Sequence, residues 1–192
     1  MIGRLPARLP RPLAATCGVL VVLGLAGCGK VNDPTSAENN GIYVQAGPIT
    51  YQLEISRQLN QYSTEDSQYV KGVPAGESSI AANQLWYGVF LWAKNQTNQP
   101  QRTAENIDIV DTTGTHYHPI PLNTSLNEFA WTPQTLAPGA IEPMAGTVAA
   151  DGPTQGGLLL FKLNQSVYAN RPLVLEIRSP TGKVWATIML DL

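Results

Sequence analysis

Cysteine is almost absent from this chain of 192 residues, which contains only two. Both of them, Cys17 and Cys28, lie near the start, and no cysteine follows Cys28. A disulfide framework and a metal site made of thiolates each need several cysteines. The rest of the chain therefore contains neither, and a domain formed by it must be stabilised by burial of apolar side chains, including its four tryptophans.

Clusters of positive charge are also missing. Charged residues make up 14% of the chain, and the lysines and arginines after residue 27 are scattered singly. Nucleic acids and anionic lipid headgroups are bound through concentrated positive charge. The sequence therefore argues against a nucleic-acid partner and against binding to lipid headgroups.

Catalytic motifs are missing as well. Neither a Gly-x-Ser-x-Gly nor a Ser-x-x-Lys pattern occurs. Asp108 and Asp111 are separated by an odd number of positions, which places them on opposite faces of a strand rather than side by side as a glycosidase pair. Asp111 is instead expected to organise the turn at 111–114. The sequence indicates a protein that is not an enzyme and gives no reason to expect a cofactor.

What is present at the start is the layout of a secretory signal, over residues 1–27. Three arginines precede an apolar run at 13–26, and no acidic residue occurs before Asp33. This order of a basic, an apolar and a small-residue region is typical of a signal peptide. A membrane-spanning helix is the alternative, but it requires about 20 apolar residues, and this run is shorter.

The sequence Leu25-Ala26-Gly27-Cys28 resembles the lipobox of bacterial lipoproteins. That resemblance implies cleavage after Gly27 and attachment of palmitate-type acyl chains at Cys28. Two or more acyl chains hold a protein firmly at a membrane, since each buried methylene contributes about 0.8 kcal/mol. We therefore expect a cell-membrane anchor, a flexible polar tether at 28–40, and a folded domain at 41–192 on the extracytoplasmic side.

The folded part is expected to be all-β. The segment 49–59 alternates apolar and polar residues, with Ile49, Tyr51, Leu53 and Ile55 on one face, as a half-buried strand does. The segment 84–95 is apolar on both faces, which predicts a central strand, and the sequence at 179–182 predicts a hairpin turn. About seven to nine strands separated by turns favour a β-sandwich.

The order of these motifs is similar to that of a known family. A strand and loop at 89–101, the strand and turn at 107–122, the Pro-Gly turn near 138 and the apolar strand at 156–163 resemble immunoglobulin-like extracellular domains of the DUF4352 and antigen MPT63 (telokin-like) type. The resemblance implies an immunoglobulin-like sandwich over about residues 49–192. It implies no catalytic residue, because that family has no established shared activity.

A long insert at 60–84 is the first candidate binding surface. Long loops in compact domains are often functional, and this one carries Tyr62 and Tyr69 among Asn and Gln side chains, a composition found on binding surfaces. The alternative is a loop that packs over the sandwich through Tyr69 and Val73. A binding loop would contact a protein or a glycan.

The two histidines, His116 and His118, are the second candidate, because a spacing of two places both on one face of a strand. Imidazoles at this spacing bind copper or zinc when further ligands are available, and Met144 or Asp111 could provide one. Two solvent-facing side chains are the simpler interpretation, so no metal site is assigned. The function expected overall is a membrane-anchored binding or scaffolding module without catalysis, with a metal or small-ligand carrier as the alternative.

Overall fold

The structure, a computed structural model, describes residues 34–192 together with Gly3. The predicted cleavage site at Gly27 and the predicted lipidation site Cys28 lie outside the described residues. Within them the chain forms twelve strands, which in chain order are β1 (Ser36–Ala37), β2 (Tyr43–Ala46), β3 (Ile49–Leu59), β4 (Gln84–Asn95), β5 (Gln101–Arg102), β6 (Asn106–Val110), β7 (His116–Tyr117), β8 (Thr135–Leu136), β9 (Ile141–Glu142), β10 (Gly157–Asn164), β11 (Leu173–Arg178) and β12 (Val184–Leu190).

Helix is limited in the described residues to the short α1 (Val148–Asp151) and two 3₁₀ turns, Asp66–Gln68 and Gln165–Tyr168. The strands form two main sheets. Sheet A has the order β1-β12-β11-β6-β7, and sheet B has the order β10-β4-β3-β2 with β9 paired to β4. β5 and β8 form a separate two-stranded pair. Seven of the strands have four or more residues, so the predicted all-β sandwich is confirmed.

The inner core lies between the two sheets. Sheet B contributes one face of β3, β4 and β10, and sheet A contributes the facing side chains of β6, β11 and β12. β4 pairs with β3 on one side and with β10 on the other, which confirms its predicted central place. Both of its faces are apolar because one lies on the inner core and the other, over most of its length, lies under further apolar side chains. Fully buried members of the inner core include Tyr87, Leu91, Phe161, Ile109, Leu175 and Ile188.

A β-bulge in β3 changes which face its side chains occupy. Leu53 pairs with Leu91 and Ile55 with Phe90, so Glu54 is an extra residue on the β3 side. An extra residue reverses the alternation of a strand after it. Leu53 therefore points into the inner core, whereas Ile55 packs on the opposite face of sheet B. The prediction that Ile55 shares the face of Leu53 is wrong for this reason.

The predicted hairpin at the end of the chain is confirmed. β11 and β12 pair antiparallel around the turn at 179–182. Gly182 has φ +85°, a conformation that side chains rarely adopt, and its backbone N–H donates to the Ser179 carbonyl at 2.9 Å. This turn fixes the register of β11 and β12 in sheet A.

The predicted tether is shorter than expected, because residues from Pro34 onward belong to the sandwich. The Pro34 carbonyl accepts a hydrogen bond from Gln45 of β2 at 2.8 Å, and the Thr35 carbonyl accepts one from Thr187 of β12 at 2.9 Å. Ala37 is buried, and β1 pairs parallel with β12. This N-terminal clamp joins an edge of sheet B to sheet A, so the folded domain begins before Gly41.

Candidate functional site

The outer face of sheet B, which points away from the inner core, is covered over only part of its area. The insert 60–84, the segment 119–131 and α1 pack onto the part formed by β10, the second half of β3 and the first half of β4. The apolar side chains enclosed there form an outer core: Leu59, Tyr69, Trp86, Phe90, Ile120, Phe129, Ala149, Leu158 and Leu160. The protein therefore has a third layer on one half of one sheet.

The insert is held to the sheet by a partly buried ion pair. Arg57 Nη2 lies 2.6 Å from Asp66 Oδ1, and Asp66 Oδ2 accepts the backbone N–H of Asn60 at 2.8 Å. Burial alone would raise the pKa of Asp66, but the hydrogen bonds and the Arg57 charge outweigh it and lower that pKa. Lys162 adds a hydrogen bond to the Glu77 carbonyl at 2.8 Å. The insert is consequently a packed layer and not an open loop.

Tyr69 lies inside this layer, so its predicted role as a contact residue is wrong. Its exposed fraction is 0%, and its ring meets those of Phe90 and Phe129 edge-on at centroid distances of 5.0 and 4.8 Å. The hydroxyl is buried and has no hydrogen-bond partner among the described residues. Tyr69 stabilises the outer core, as the packed-loop alternative predicts.

Tyr62 is the opposite case, with an exposed fraction of 88%. It borders a cleft of about 290 Å³ whose other lining residues include Gln58, Gln61 and Trp86. Gln61 accepts a hydrogen bond from Trp86 Nε1 at 2.9 Å, which fixes the base of the cleft. Tyr62 is therefore accessible to a partner, and it remains a candidate contact residue.

The half of the outer face that the insert leaves open forms a second cleft, of about 290 Å³, which we call the aromatic cleft. It lies over β2, the first half of β3 and the second half of β4. Tyr43 on its rim is 58% exposed, whereas Trp92 is partly buried. Aromatic and polar side chains are mixed in its lining, whose members include Tyr43, Gln52, Glu54, Trp92, Lys94 and Gln155.

Strand register determines the layout of the aromatic cleft. Tyr43 pairs with Gln52, and Gln52 pairs with Trp92, so the three residues form one row across three neighbouring strands. Adjacent strands are about 4.8 Å apart, which places the attachment points of the two aromatic side chains about 10 Å apart. Lys94 follows on the same face of β4, next to Ile141 of β9. The row is anchored on rigid strands rather than on loops.

The aromatic cleft is a site that sequence reasoning misses. An apolar run on both faces of β4 predicts that Trp92 is buried, as Trp86 and Phe90 on the same face are. The outer layer ends before it reaches Trp92, because the bulge at Glu54 divides the outer face of β3 into a polar and an apolar half. The polar residues Thr50, Gln52 and Glu54 on β3 could have indicated that this half of the face is open. An apolar layer over them would bury polar groups without partners.

His116 and His118 lie together, as their spacing predicts, and their common neighbour is Asp108. His118 Nδ1 lies 2.7 Å from Asp108 Oδ1, and His116 Nδ1 lies 3.7 Å from Asp108 Oδ2. Both rings are exposed. Across residues 34–192, no group of three or more His, Cys, Asp or Glu side chains is arranged to hold a metal ion. Asp108, and not the predicted Asp111 or Met144, is the side chain that joins the pair.

Asp111 has the structural role that its turn sequence predicts. Its Oδ1 accepts the backbone N–H groups of Thr113 and Thr115 at 2.9 and 3.0 Å, and its Oδ2 accepts the hydroxyl of Tyr117 at 3.2 Å. Burial would raise the pKa of Asp111, but these bonds outweigh it and lower the pKa to about 2. The carboxylate therefore stabilises the turn after β6.

Glu142 is a buried acid outside both clefts. Its exposed fraction is 5%, and its Oε2 has no hydrogen-bond partner among residues 34–192. Burial raises the pKa of Glu142 to about 7, against smaller lowering effects from hydrogen bonds with Gln134, Thr132 and Thr103. It lies on β9 opposite Ala93 of β4.

No helix in the described part of the chain has the length and apolar character needed to span a membrane.

Comparison with known proteins gives a fold and no family. No family model matches the chain, and no curated protein matches it. The chain is similar to the crystal structure of the yjhA protein of Bacillus subtilis, with a TM-score of 0.50 and 11% identity over 80% of this chain and 99% of that one. This similarity supports the fold alone.

Two further solved structures are similar at a lower level. One is an uncharacterised β-sandwich protein of Clostridium difficile, with a TM-score of 0.44 and 10% identity over 83% of this chain and 96% of that one. The other is a conserved hypothetical protein of Bacillus anthracis, with a TM-score of 0.47 and 11% identity over 78% of this chain and 94% of that one. The two packed sheets and the outer core of this chain make it a β-sandwich with a partial third layer.

Proposed function

We propose that this chain is a cell-envelope lipoprotein whose sandwich is a non-catalytic binding or scaffolding module on the extracytoplasmic side of the membrane. The lipobox at 25–28 supports the anchor. The observation that carries the binding role is the aromatic cleft, where the exposed Tyr43 and the partly buried Trp92 lie on rigid strands beside polar and charged side chains. Aromatic side chains mixed with polar groups in a concave site are features of a recognition surface. The immunoglobulin-like DUF4352 and antigen MPT63 assignment belongs to this proposal, and the sandwich of two sheets agrees with it.

The anchor is tested by metabolic labelling of the full chain with a palmitate analogue. Cys28→Ser is expected to abolish the label, to leave an unprocessed precursor and to remove the protein from the detergent phase. Cys17→Ser is the matched control and is expected to keep the label, since Cys17 would leave with the signal peptide. A labelled Cys28→Ser variant would refute the lipid anchor.

The binding role is tested on envelopes from cells that express the full chain. Detergent dissolves the lipid, and the insoluble envelope is sedimented. Wild-type protein is expected to remain in the pellet, Trp92→Ala to be released, and Tyr62→Ala to remain. Release of Tyr62→Ala alone would show that the partner binds the insert rather than the aromatic cleft. Complete release of the wild type would contradict the proposed binding role.

A metal or small-ligand carrier is the second candidate, and the Asp108 contact is the observation that favours it. A histidine that donates its Nδ1 proton to a carboxylate keeps the Nε2 lone pair free, and metal-binding histidines commonly have such a partner. Titration with Cu²⁺ and Zn²⁺ tests this role. Loss of binding in both His118→Ala and Asp108→Asn would support a carrier, and a wild type that binds neither ion would exclude these two metals.

A further inference from the structure

The aromatic cleft has more hydrogen-bonding capacity than the fold uses. Gln52 Nε2 donates to the Gly41 carbonyl at 2.9 Å, which leaves Gln52 Oε1 as a free acceptor. Lys94 and Glu54 are exposed, and neither forms an ion pair with any of residues 34–192. A ligand in the cleft would thus meet donors and acceptors on both sides of Trp92. An apolar partner would leave these groups unpaired, at a cost in binding free energy.

The charge of the cleft also restricts its ligand. Its one cation, Lys94, and its one anion, Glu54, are balanced, and the remaining polar side-chain groups are two amides, two hydroxyls and the indole N–H of Trp92. A polyanion such as a nucleic acid or an anionic lipid surface needs a net positive patch. The balanced lining instead suits a neutral ligand that has many hydroxyl groups.

The spacing of the aromatic residues agrees with such a ligand. Tyr43 and Trp92 are attached about 10 Å apart on rigid strands, with the amide of Gln52 between them. Pyranose rings present flat C–H faces that pack on aromatic rings, and their edges carry hydroxyl groups that bond with amides and charged groups. Two rings of a polysaccharide that are separated by one intervening ring would meet Tyr43 and Trp92, and the intervening ring would lie over Gln52.

We propose that the aromatic cleft binds a neutral stretch of polysaccharide, with sugar rings against Tyr43 and Trp92 and hydroxyl groups bonded to Gln52, Lys94 and Glu54. The proposal rests on the binding role proposed above and names its ligand class. An envelope location would supply such a ligand, since the glycan of the cell envelope lies on the same side as the domain. A partner protein would require a flatter and more apolar surface than the aromatic cleft, which is concave and partly polar.

The test is the binding of soluble oligosaccharides to the full chain in detergent, followed by tryptophan fluorescence and calorimetry. The probes are the neutral β-linked tetramers of N-acetylglucosamine and of glucose. Saturable binding to at least one probe is expected. Trp92→Ala and Tyr43→Ala are each expected to weaken it by about ten-fold, since each loses one aromatic packing contact. Tyr43→Phe keeps the ring and is expected to bind within about two-fold of the wild type.

Leu126→Ala is the control, because it removes a side chain that is 62% exposed and does not line the aromatic cleft. It is expected to bind the probes as the wild type does. Absence of binding to every probe would overturn the glycan proposal, and so would binding that Trp92→Ala leaves unchanged. Vesicles of phosphatidylcholine and phosphatidylglycerol form a further arm. A shift of tryptophan fluorescence on vesicle binding that Tyr43→Ala abolishes, without any sugar binding, would assign the cleft to the membrane instead.

The two proposals fail in distinguishable ways. Retention of the wild type in the insoluble envelope without binding to any sugar would leave the binding module intact and refute the glycan as its ligand. Sugar binding without retention would support the glycan site and refute the envelope role. Far-UV circular dichroism of each variant confirms that the sandwich is folded before its binding is interpreted.

Discussion

The position of Tyr69 provides the strongest test of the architecture. The sequence predicts either a contact residue on a binding surface or a residue that packs the insert onto the sandwich, and the structure places Tyr69 in the outer core. Its side chain is fully buried between Phe90 and Phe129. Truncation of a buried aromatic side chain usually costs about 3–5 kcal/mol, because apolar contacts are lost and a cavity remains. Tyr69→Ala is therefore expected to lower the free energy of unfolding by about that amount, a large fraction of the stability of a domain this size.

Tyr69→Phe separates the contribution of the ring from that of the hydroxyl. The hydroxyl has no hydrogen-bond partner among the described residues, and a buried unpaired polar group costs about 1–3 kcal/mol. Removing it keeps both edge-on ring contacts. Tyr69→Phe is therefore expected to be as stable as the wild type or more stable by about 1 kcal/mol.

Urea unfolding of residues 34–192, followed by tryptophan fluorescence and circular dichroism, measures both changes. Tyr62→Ala is the control and is expected to change the free energy of unfolding by less than about 0.5 kcal/mol, as exposed positions usually do. A Tyr69→Ala variant as stable as the wild type would show that the insert does not pack on sheet B in solution. A loss of more than about 1 kcal/mol in Tyr69→Phe would show that the hydroxyl is bonded.

Two further predictions concern stability. Trp86→Ala is expected to lower the free energy of unfolding by about 3–5 kcal/mol, because Trp86 is enclosed by the outer core. Trp92→Ala is expected to lower it by only about 1 kcal/mol, because Trp92 borders the aromatic cleft. Thermal unfolding measures both losses, and equal losses would contradict the boundary of the outer layer. The folded pKa of Glu142, about 7, exceeds its ordinary 4.5, so the folded state binds this proton more tightly than the unfolded state. Stability is then expected to decrease by about 3 kcal/mol as pH rises from about 4.5 to above 7. Glu142→Gln is expected to remove that decrease, and an unchanged pH profile in this variant would refute the assignment.

Most of the sandwich could be predicted from local sequence, because strand period and turn chemistry are local properties. The double-sided apolar run of β4 and the turn at 179–182 predict a central strand and a hairpin, and both are confirmed. Asp111 is likewise found bonded within its own turn. In each case the residues that determine the structure are neighbours in the chain or on the adjacent strand.

The candidate site could not be predicted in the same way, because it depends on where the outer layer ends. Nothing near Tyr69 in the sequence shows that Phe129, sixty positions later, encloses its ring. The bulge at Glu54 was equally hidden, since an extra residue leaves the alternation of β3 intact in the sequence and alters only the pairing. Trp92 was misplaced as a consequence, and the aromatic cleft was missed with it.

The N-terminal clamp sets a limit on how far the domain can travel from the membrane. Only five residues, 29–33, separate Cys28 from Pro34, whose carbonyl is already bonded to β2. A fully extended chain of this length reaches about 20 Å. If Cys28 is lipidated as we propose, the corner formed by β2 and β12 must stay within that distance of the bilayer. The domain can then tilt about this corner but cannot move farther from the membrane. The domain can therefore reach only ligands that come close to the membrane surface.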